Sequence, residues 1–340
     1  MNKSSVDYSS DTGHKPRQLW IDMLRGGCML AILLDHTEIY YTGTNIIPYT
    51  LYVPNALCVF FFLSGYLFFK PQGFSLRAKL VSITRGIILP YFIFTSLIAV
   101  PKALVHDHFT SLASLAYDIV SGQASWFVAA LAIAEVLFAG FLHITRGKLF
   151  PLFLLSFGAF GLSTFFSTAY QPYFWQADNA LQALAFLYTG YLYHAKEMLF
   201  NRFNTPSYSS LFFLLLLFIK VYETNMGISF MLWPLHIGNY PVFFIDILLT
   251  FLLVTSLFKQ LPTCRPIAWT GAHSLVYYFF CGGVPLVLST VISRFLPFTG
   301  PTDYPAVLLV FLLVYLFTSA IAWIVYRFFP ITVGQMKKKG

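Results

Sequence analysis

The sequence predicts an all-α, polytopic integral membrane bundle of about ten transmembrane helices, with both termini cytoplasmic. Three observations carry that prediction. First, the chain is 58% hydrophobic and only 10% charged over 340 residues, against roughly 25% charged in an ordinary soluble domain. That is too little polar material to coat a globule in water, and the mean hydropathy of +0.71 agrees. Second, mostly apolar runs of about 20 residues, the length that crosses a bilayer, recur about ten times. Third, the basic residues fall between those runs on alternate turns, as they do when Lys and Arg mark the cytoplasmic side.

In chain order the runs lie near 21–41, 54–70, 85–105, 124–143, 149–168, 178–195, 207–223, 229–257, 267–292 and 305–327. Turn or breaker residues separate them: Pro48 and Pro54, Pro71 to Gly73, Gly147, Pro172, Pro206, Gly227, Pro262 and Pro266, and Pro297 to Pro301. Pro234 and Pro241 break the first half of the eighth run, so its continuous helix is expected to begin near Pro241. Pro90 is read as lying in the first turns of the third span, where a proline costs least. With ten crossings, every one of the 21 Lys and Arg residues except Lys102, Lys220 and Arg294 falls on the cytoplasmic side. A miscounted helix would scramble that bias. The expected organisation is a cytoplasmic tail over 1–16, one membrane domain over 17–329 and a basic cytoplasmic tail over 330–340.

The net charge of +8 comes without an aromatic-interleaved basic patch, so no nucleic-acid partner is expected. Cys28, Cys58, Cys264 and Cys281 form no CxxC pair, and neither a disulfide framework nor a metal site is expected. The HxH of His106 and His108 around Asp107 is a weak metal signal. No cleaved signal peptide is read in the polar first nineteen residues.

A charge near the bilayer centre costs at least ~2.5 kcal/mol on insertion scales, so each one asks for a reason. The first helix carries Asp22, Arg25, Asp35, His36 and Glu38, and it therefore lines a polar cavity or packs centrally. Arg25 and His36 are eleven residues apart, which places them on one face and roughly 16 Å apart along the axis. A cation at one end and an imidazole deeper on the same stripe suit a tunnel for a long substrate with an anionic head. The ordinary reading of Arg25 is a side chain snorkelling to the interface. Histidine, by contrast, is the residue whose proton affinity suits acid–base work near neutrality. Asp35 and Glu38 are candidates to orient it. Glu135 and Asp246 read as cavity-lining or as bonded to neighbouring helices, and Asp178 as an acid favoured at a helix N-terminus or as a site residue. Ser64 reads as a small packing residue beside Gly65 or as a nucleophile.

These residues resemble the opening signature of the membrane-bound acyltransferase 3 family. Arg25, ten intervening residues and His36 match its first helix. Phe60 to Tyr66 (FFFLSGY) is similar to its second-helix motif, and Arg85 to Tyr91 to its arginine-then-proline start of the third helix. Trp126, Phe127 and Leu131, and Ala180 to Tyr191, also fit. Gly271 to Tyr278 resembles a late-helix pattern that often ends in histidine, where this chain has Cys281.

The resemblance implies an O-acyltransferase of the bacterial cytoplasmic membrane, moving an acyl group, usually acetyl from acetyl-CoA, to a hydroxyl of a cell-envelope carbohydrate. On that reading His36 is the general base, with Asp35 and Glu38 beside it in the catalytic set. Arg25, Arg77, Lys79 and Arg85 hold the donor's phosphates, as clustered guanidinium and ammonium groups do. Trp126, Asp178 and Ser64 are the candidate acceptor-side residues. The expected partners are membrane lipid and a carbohydrate or lipid-linked glycan, with a homo-oligomer left open. From composition alone, a transporter or flippase of a glycan or small solute fits equally well.

Overall fold

A computed structural model describes residues 18–335 apart from 72, 106–110, 168–172 and 301–302. His106, Asp107, His108 and both tails' lysines lie outside the described residues. The fold is a helical bundle, as composition demands, with one small hairpin.

The first helix, α1 (Leu19–Thr42), ends at Gly43, whose left-handed φ of 79° lets its N–H reach the Ile39 carbonyl. α2 (Val53–Phe68) follows with Pro54 in its first turn. α3 (Leu76–Ile83) and α4 (Leu89–Val105) run on from each other through a π-helical stretch, Thr84–Ile88. Pro90 is therefore interior to a long helix, not at the start of a span as the sequence suggests. Proline has no N–H for the ladder, and the wide π turn just before it is where such a helix absorbs the missing bond.

α5 (Leu112–Val120) is short; α6 (Trp126–Thr145) and α7 (Leu149–Phe166) are long and joined by three residues. α8 (Ala177–Ala195), α9 (Glu197–Phe200) and α10 (Pro206–Met226) complete the middle of the chain. Next, β1 (Phe230–Leu232) and β2 (Leu235–Ile237) pair antiparallel around Trp233 and Pro234. The eighth run is thus a hairpin followed by α11 (Tyr240–Gln260), which starts beside Pro241 as its position requires. The ninth run is broken into α12 (Arg265–Ala272), α13 (Ser274–Phe280) and α14 (Gly283–Ile292), and α13 and α14 meet at 53°. α15 (Tyr304–Phe328) closes the bundle.

Seven helices among the described residues are long and apolar enough to cross a membrane, and the bent α13–α14 pair makes an eighth. α1 and α8 fall outside that class for a physical reason. α1 has the length but carries Asp22, Arg25, Asp35 and Glu38, and α8 opens on Asp178, Asn179 and Gln182. Both are central instead. α8 packs on α2, α6 and α7, while α1 packs on α2, α11, α12, α14 and α15. Glycine makes the closest contacts possible: a Cβ on Gly65 would lie 1.9 Å from the Leu187 carbonyl oxygen, and one on Gly271 would lie 1.8 Å from that of Asp22. Small residues that let backbones touch are what holds helices together where lipid removes the hydrophobic drive.

The embedded charges are mostly paired. Lys220 Nζ lies 3.0 Å from Asp246 Oδ2 and 3.3 Å from Glu223 Oε2, and donates to Asn55 Oδ1 and the Thr50 carbonyl. Asn55 also donates to Asp246 and Thr250, so Asp246 bonds its neighbours. A second buried set joins Ser64 Oγ to Glu135, whose other oxygen is 2.8 Å from Lys79 Nζ. Near the same end of α2, Lys259 pairs with Glu197 at 2.6 Å and lies over the rings of Trp20 and Tyr193.

Candidate active site

The bundle contains a cavity of about 670 Å³, within the ordinary range for small-molecule sites. α1 contributes Ile32, Asp35, His36 and Tyr40. The spacing of Ile32, His36 and Tyr40, i to i+4 to i+8, is a single helical stripe. His36 and Tyr40 stack with ring centroids 6.1 Å apart and planes 14° from parallel. Tyr49 and Val53 come from the segment leading into α2, and Gln123, Ala124, Ser125 and Trp126 from the start of α6. Trp233, at the hairpin tip, and Tyr278 to Gly283, at the break between α13 and α14, complete the polar half. The wall then turns apolar, through Leu286, Val287 and Leu288 of α14 and Phe317 and Ile321 of α15.

Local structure places each of these groups. The break at Cys281 and Gly282 ends α13 and turns Cys281 Sγ back to donate to the Tyr278 carbonyl at 3.0 Å. Tyr278 Oη in turn accepts from the Phe127 N–H at 3.3 Å, which ties the break to the start of α6. The hairpin is fixed from α8 by Asn179, whose side chain donates to the Leu232 carbonyl at 2.7 Å.

The sequence-predicted residues divide. His36, Asp35 and Trp126 line the cavity together. Asp35 accepts from Asn45 Nδ2 at 2.7 Å, and Glu38 accepts from the Ile47 N–H at 2.9 Å. Both acids therefore brace the loop after α1. Glu38 is fully buried and is not part of the cavity wall. Ser64 lies outside the wall too, engaged with Glu135. Asp178 is buried in the first turn of α8, where the helix dipole favours an acid, and does not reach the cavity.

On the donor side, Arg77 and Arg85 are exposed, on α3 and in the π turn, while Lys79 is held by Glu135 and sits 3.7 Å over the Phe68 ring. Arg25 is half-buried on α1, on the stripe that carries His36. Between them on that stripe stands Met29, only 1% exposed. Of that stripe, Ile32, His36 and Tyr40 line the cavity, and Arg25 and Met29 are not among its lining residues. Among the described residues, none that lines the cavity is Lys or Arg.

Sequence reasoning left Cys281 out of the site, and the structure puts it in the wall with His36. Tyr40 was legible, since it lies one turn beyond His36. Tyr49, Gln123, Ser125, Trp233 and Tyr278 were not, because only the packing of distant segments brings them to α1.

A family model described as an acyltransferase domain matches residues 18–327. No curated protein and no solved structure matches the chain. The matched region takes in nearly the whole bundle, from the first described residue of α1 almost to the end of α15. With its apolar helices and a histidine-bearing cavity at their centre, the chain belongs to the membrane-bound acyltransferase 3 family.

Proposed function

We propose that this multi-pass membrane acyltransferase moves an acyl group, acetyl by expectation, from a cytoplasmic acyl-CoA to a hydroxyl of a cell-envelope carbohydrate, across the bacterial cytoplasmic membrane. The single observation that carries the reading is the placement of His36. It is the one histidine among the described cavity-lining residues, set in a pocket of aromatic and hydroxyl groups. Acyl-CoA supplies an activated thioester. His36 accepts the proton of the acceptor hydroxyl as that oxygen attacks, and then returns a proton to the departing sulfur. A base positioned in this way is typically worth 10²–10⁴-fold in rate.

Among the described residues none that lines the cavity is Lys or Arg, and the donor's phosphates are assigned to Arg25 and the rim formed by Arg77 and Arg85. Lys79 would join that rim already paired with Glu135. For the thioester to reach His36 from this side, Met29 and Ile32 must give way. Met29 is unbranched and adaptable, which suits a side chain that moves. Asp35, the acid that shares the cavity wall, is the one placed to influence the imidazole. Ten crossings with both ends in the cytoplasm put the donor rim inside and the hairpin outside, in keeping with the basic-residue bias.

The deciding experiment compares O-acyl content of the envelope glycan in cells carrying the wild type and His36→Ala. Loss of the ester, with the variant inserted at normal levels, supports the reading. Unchanged ester content removes His36 as the base. Thermal stabilisation of the purified protein by coenzyme A separates the enzyme from a transporter, which has no reason to bind it.

A further inference from the structure

A buried lysine on an apolar helix asks for a reason, because a buried ion pair seldom returns its desolvation cost as stability. Lys220 is 9% exposed on α10, a helix whose other buried residues are Ser209, Phe212 and Glu223. α10 packs chiefly on α11, and docking the two asks only for bonds between them. Ser209 and Ser256 supply one, with their hydroxyl oxygens 2.8 Å apart and Gln260 donating to Ser209 at 3.0 Å. Lys220 supplies another, 3.0 Å from Asp246. The ammonium then reaches past α11. It donates to the Thr50 carbonyl at 3.1 Å and to Asn55 Oδ1 at 3.2 Å, both in the segment that enters α2.

That segment needs an outside donor. Tyr49–Leu51 is a single turn, closed by the Leu51 and Tyr52 N–H groups bonding the Pro48 and Tyr49 carbonyls. Among the described residues no backbone N–H bonds the Thr50 carbonyl, and Pro54, four residues on, has none to give. A carbonyl withdrawn from water without a partner is costly, and Lys220 meets that need. Asn55 fixes the ammonium in turn, since its amide nitrogen donates to Asp246 at 3.0 Å and to Thr250 at 2.6 Å. The turn pinned in this way carries Tyr49 into the cavity wall. The Tyr49 hydroxyl lies against the backbone of Leu232, which Asn179 ties to α8. Leu232 precedes Trp233, a residue of the same wall.

We propose that Lys220 is a positioning residue for acyl transfer, holding the Thr50 carbonyl and thereby the placement of Tyr49 and the hairpin tip in the wall they share with His36. The inference rests on the acyl-transfer reading and extends its machinery to α10, a helix that contributes none of the described cavity-lining residues. Released from the ammonium, the turn can drift, and a misplacement of about 1 Å can cost roughly 10²-fold in rate. The donor side is untouched by such a change.

The test uses membranes that hold the native acceptor and are supplied with radiolabelled acetyl-CoA. The triple variant Lys220→Met, Glu223→Gln, Asp246→Asn removes all three charges together, so no lone charge is left buried and folding is spared. It should lose about tenfold or more of the maximal rate, with KM for acetyl-CoA unchanged and with the purified variant still stabilised by coenzyme A. Glu223→Gln alone leaves Lys220 on Asp246 and Thr50 and should transfer at the wild-type rate. Tyr49→Ala should also slow transfer, and its loss should not multiply with that of the triple variant, because both act through one turn. A triple variant as fast as wild type overturns the proposal and leaves the network as a clamp for α10. Loss in Glu223→Gln equal to that in the triple variant overturns it too, by placing the effect in the charges and not in the Thr50 bond. Tyr49→Ala at full rate overturns it whether or not the triple variant folds. No label in any carbohydrate with the wild type defeats the acyl-transfer reading itself, and this inference with it.

Discussion

His36 and Glu38 lie two positions apart on α1 and face opposite duties. The imidazole looks into the cavity, and the carboxylate is buried against the loop that follows the helix, accepting from the Ile47 N–H. Glu38→Ala should therefore cost stability, about 1–3 kcal/mol for a buried donor left unsatisfied, whereas His36→Ala should cost activity with little change in melting temperature. Paired thermal-shift and acyl-transfer measurements check the division; a His36→Ala variant that is inactive only because it is unfolded would fail it. Ser64 can be settled in the same way. Its hydroxyl satisfies Glu135 beside Lys79, so Ser64→Ala is expected to lower stability by about 1–2 kcal/mol and to leave transfer intact. Loss of transfer at undiminished stability, with loss of a trapped acyl-protein, would instead make Ser64 a nucleophile. Helical phase makes the shared stripe of Arg25 and His36 readable from the sequence alone. It could not show that Met29 fills the space along that stripe, because filling depends on what the neighbouring helices leave open.

At the level of elements, apolar runs made nearly every helix legible, and breakers explain where the reading slipped. Pro90 looked like a helix start because proline is usual there; the π turn at Thr84–Ile88 lets it sit inside a helix instead. Pro234 and Pro241 set the helix start of the eighth run near Pro241, where α11 does begin, but they did not show that the buried Phe230, Leu232, Leu235 and Ile237 before it alternate along a short hairpin. The glycines make an element-scale prediction. Gly65→Ala and Gly190→Ala press a methyl against a backbone carbonyl at 1.9 Å, so α2 and α8 must separate. Each should destabilise by about 2 kcal/mol or more, in the range of overpacking that a core cannot relieve. Gly158→Ala, in α7 with open space around it, should be neutral or stabilising by up to about 1 kcal/mol. Unfolding of the three purified variants under matched detergent conditions gives the comparison, and equal effects at all three positions would refute the close-contact argument.

On the scale of the whole molecule, α1, which brings His36 to the cavity, and its fellow central helix α8 are the least apolar of the long helices. α1 and α8 are shielded by neighbours, which is how a chain with 10% charged residues keeps four charges on one helix. Lys220, one of only three basic residues that the ten-span reading sets outside, is committed to Asp246 and Glu223 in the interior. A buried, paired lysine says little about which loop faces the cytoplasm, so the basic-residue bias is stronger than the raw count suggests. Ten crossings require α1 and α8 to traverse the membrane despite their polarity. At 1.5 Å per residue their 24 and 19 residues reach roughly 36 and 28 Å, about the thickness of the hydrocarbon core. Single cysteines introduced into a cysteine-free background decide it. Tyr173→Cys, before α8, and Thr44→Cys, after α1, should react with a membrane-impermeant maleimide in intact spheroplasts. Asn204→Cys, after α9, should react only once the membrane is opened, as should a cysteine retained at the exposed position Cys264. If residues 173 and 204 label alike, α8 does not cross, and the side assigned to every loop on one side of it must be reversed. The hairpin and the donor rim would then no longer lie on opposite faces, and the cavity would have to receive donor and acceptor from the same side.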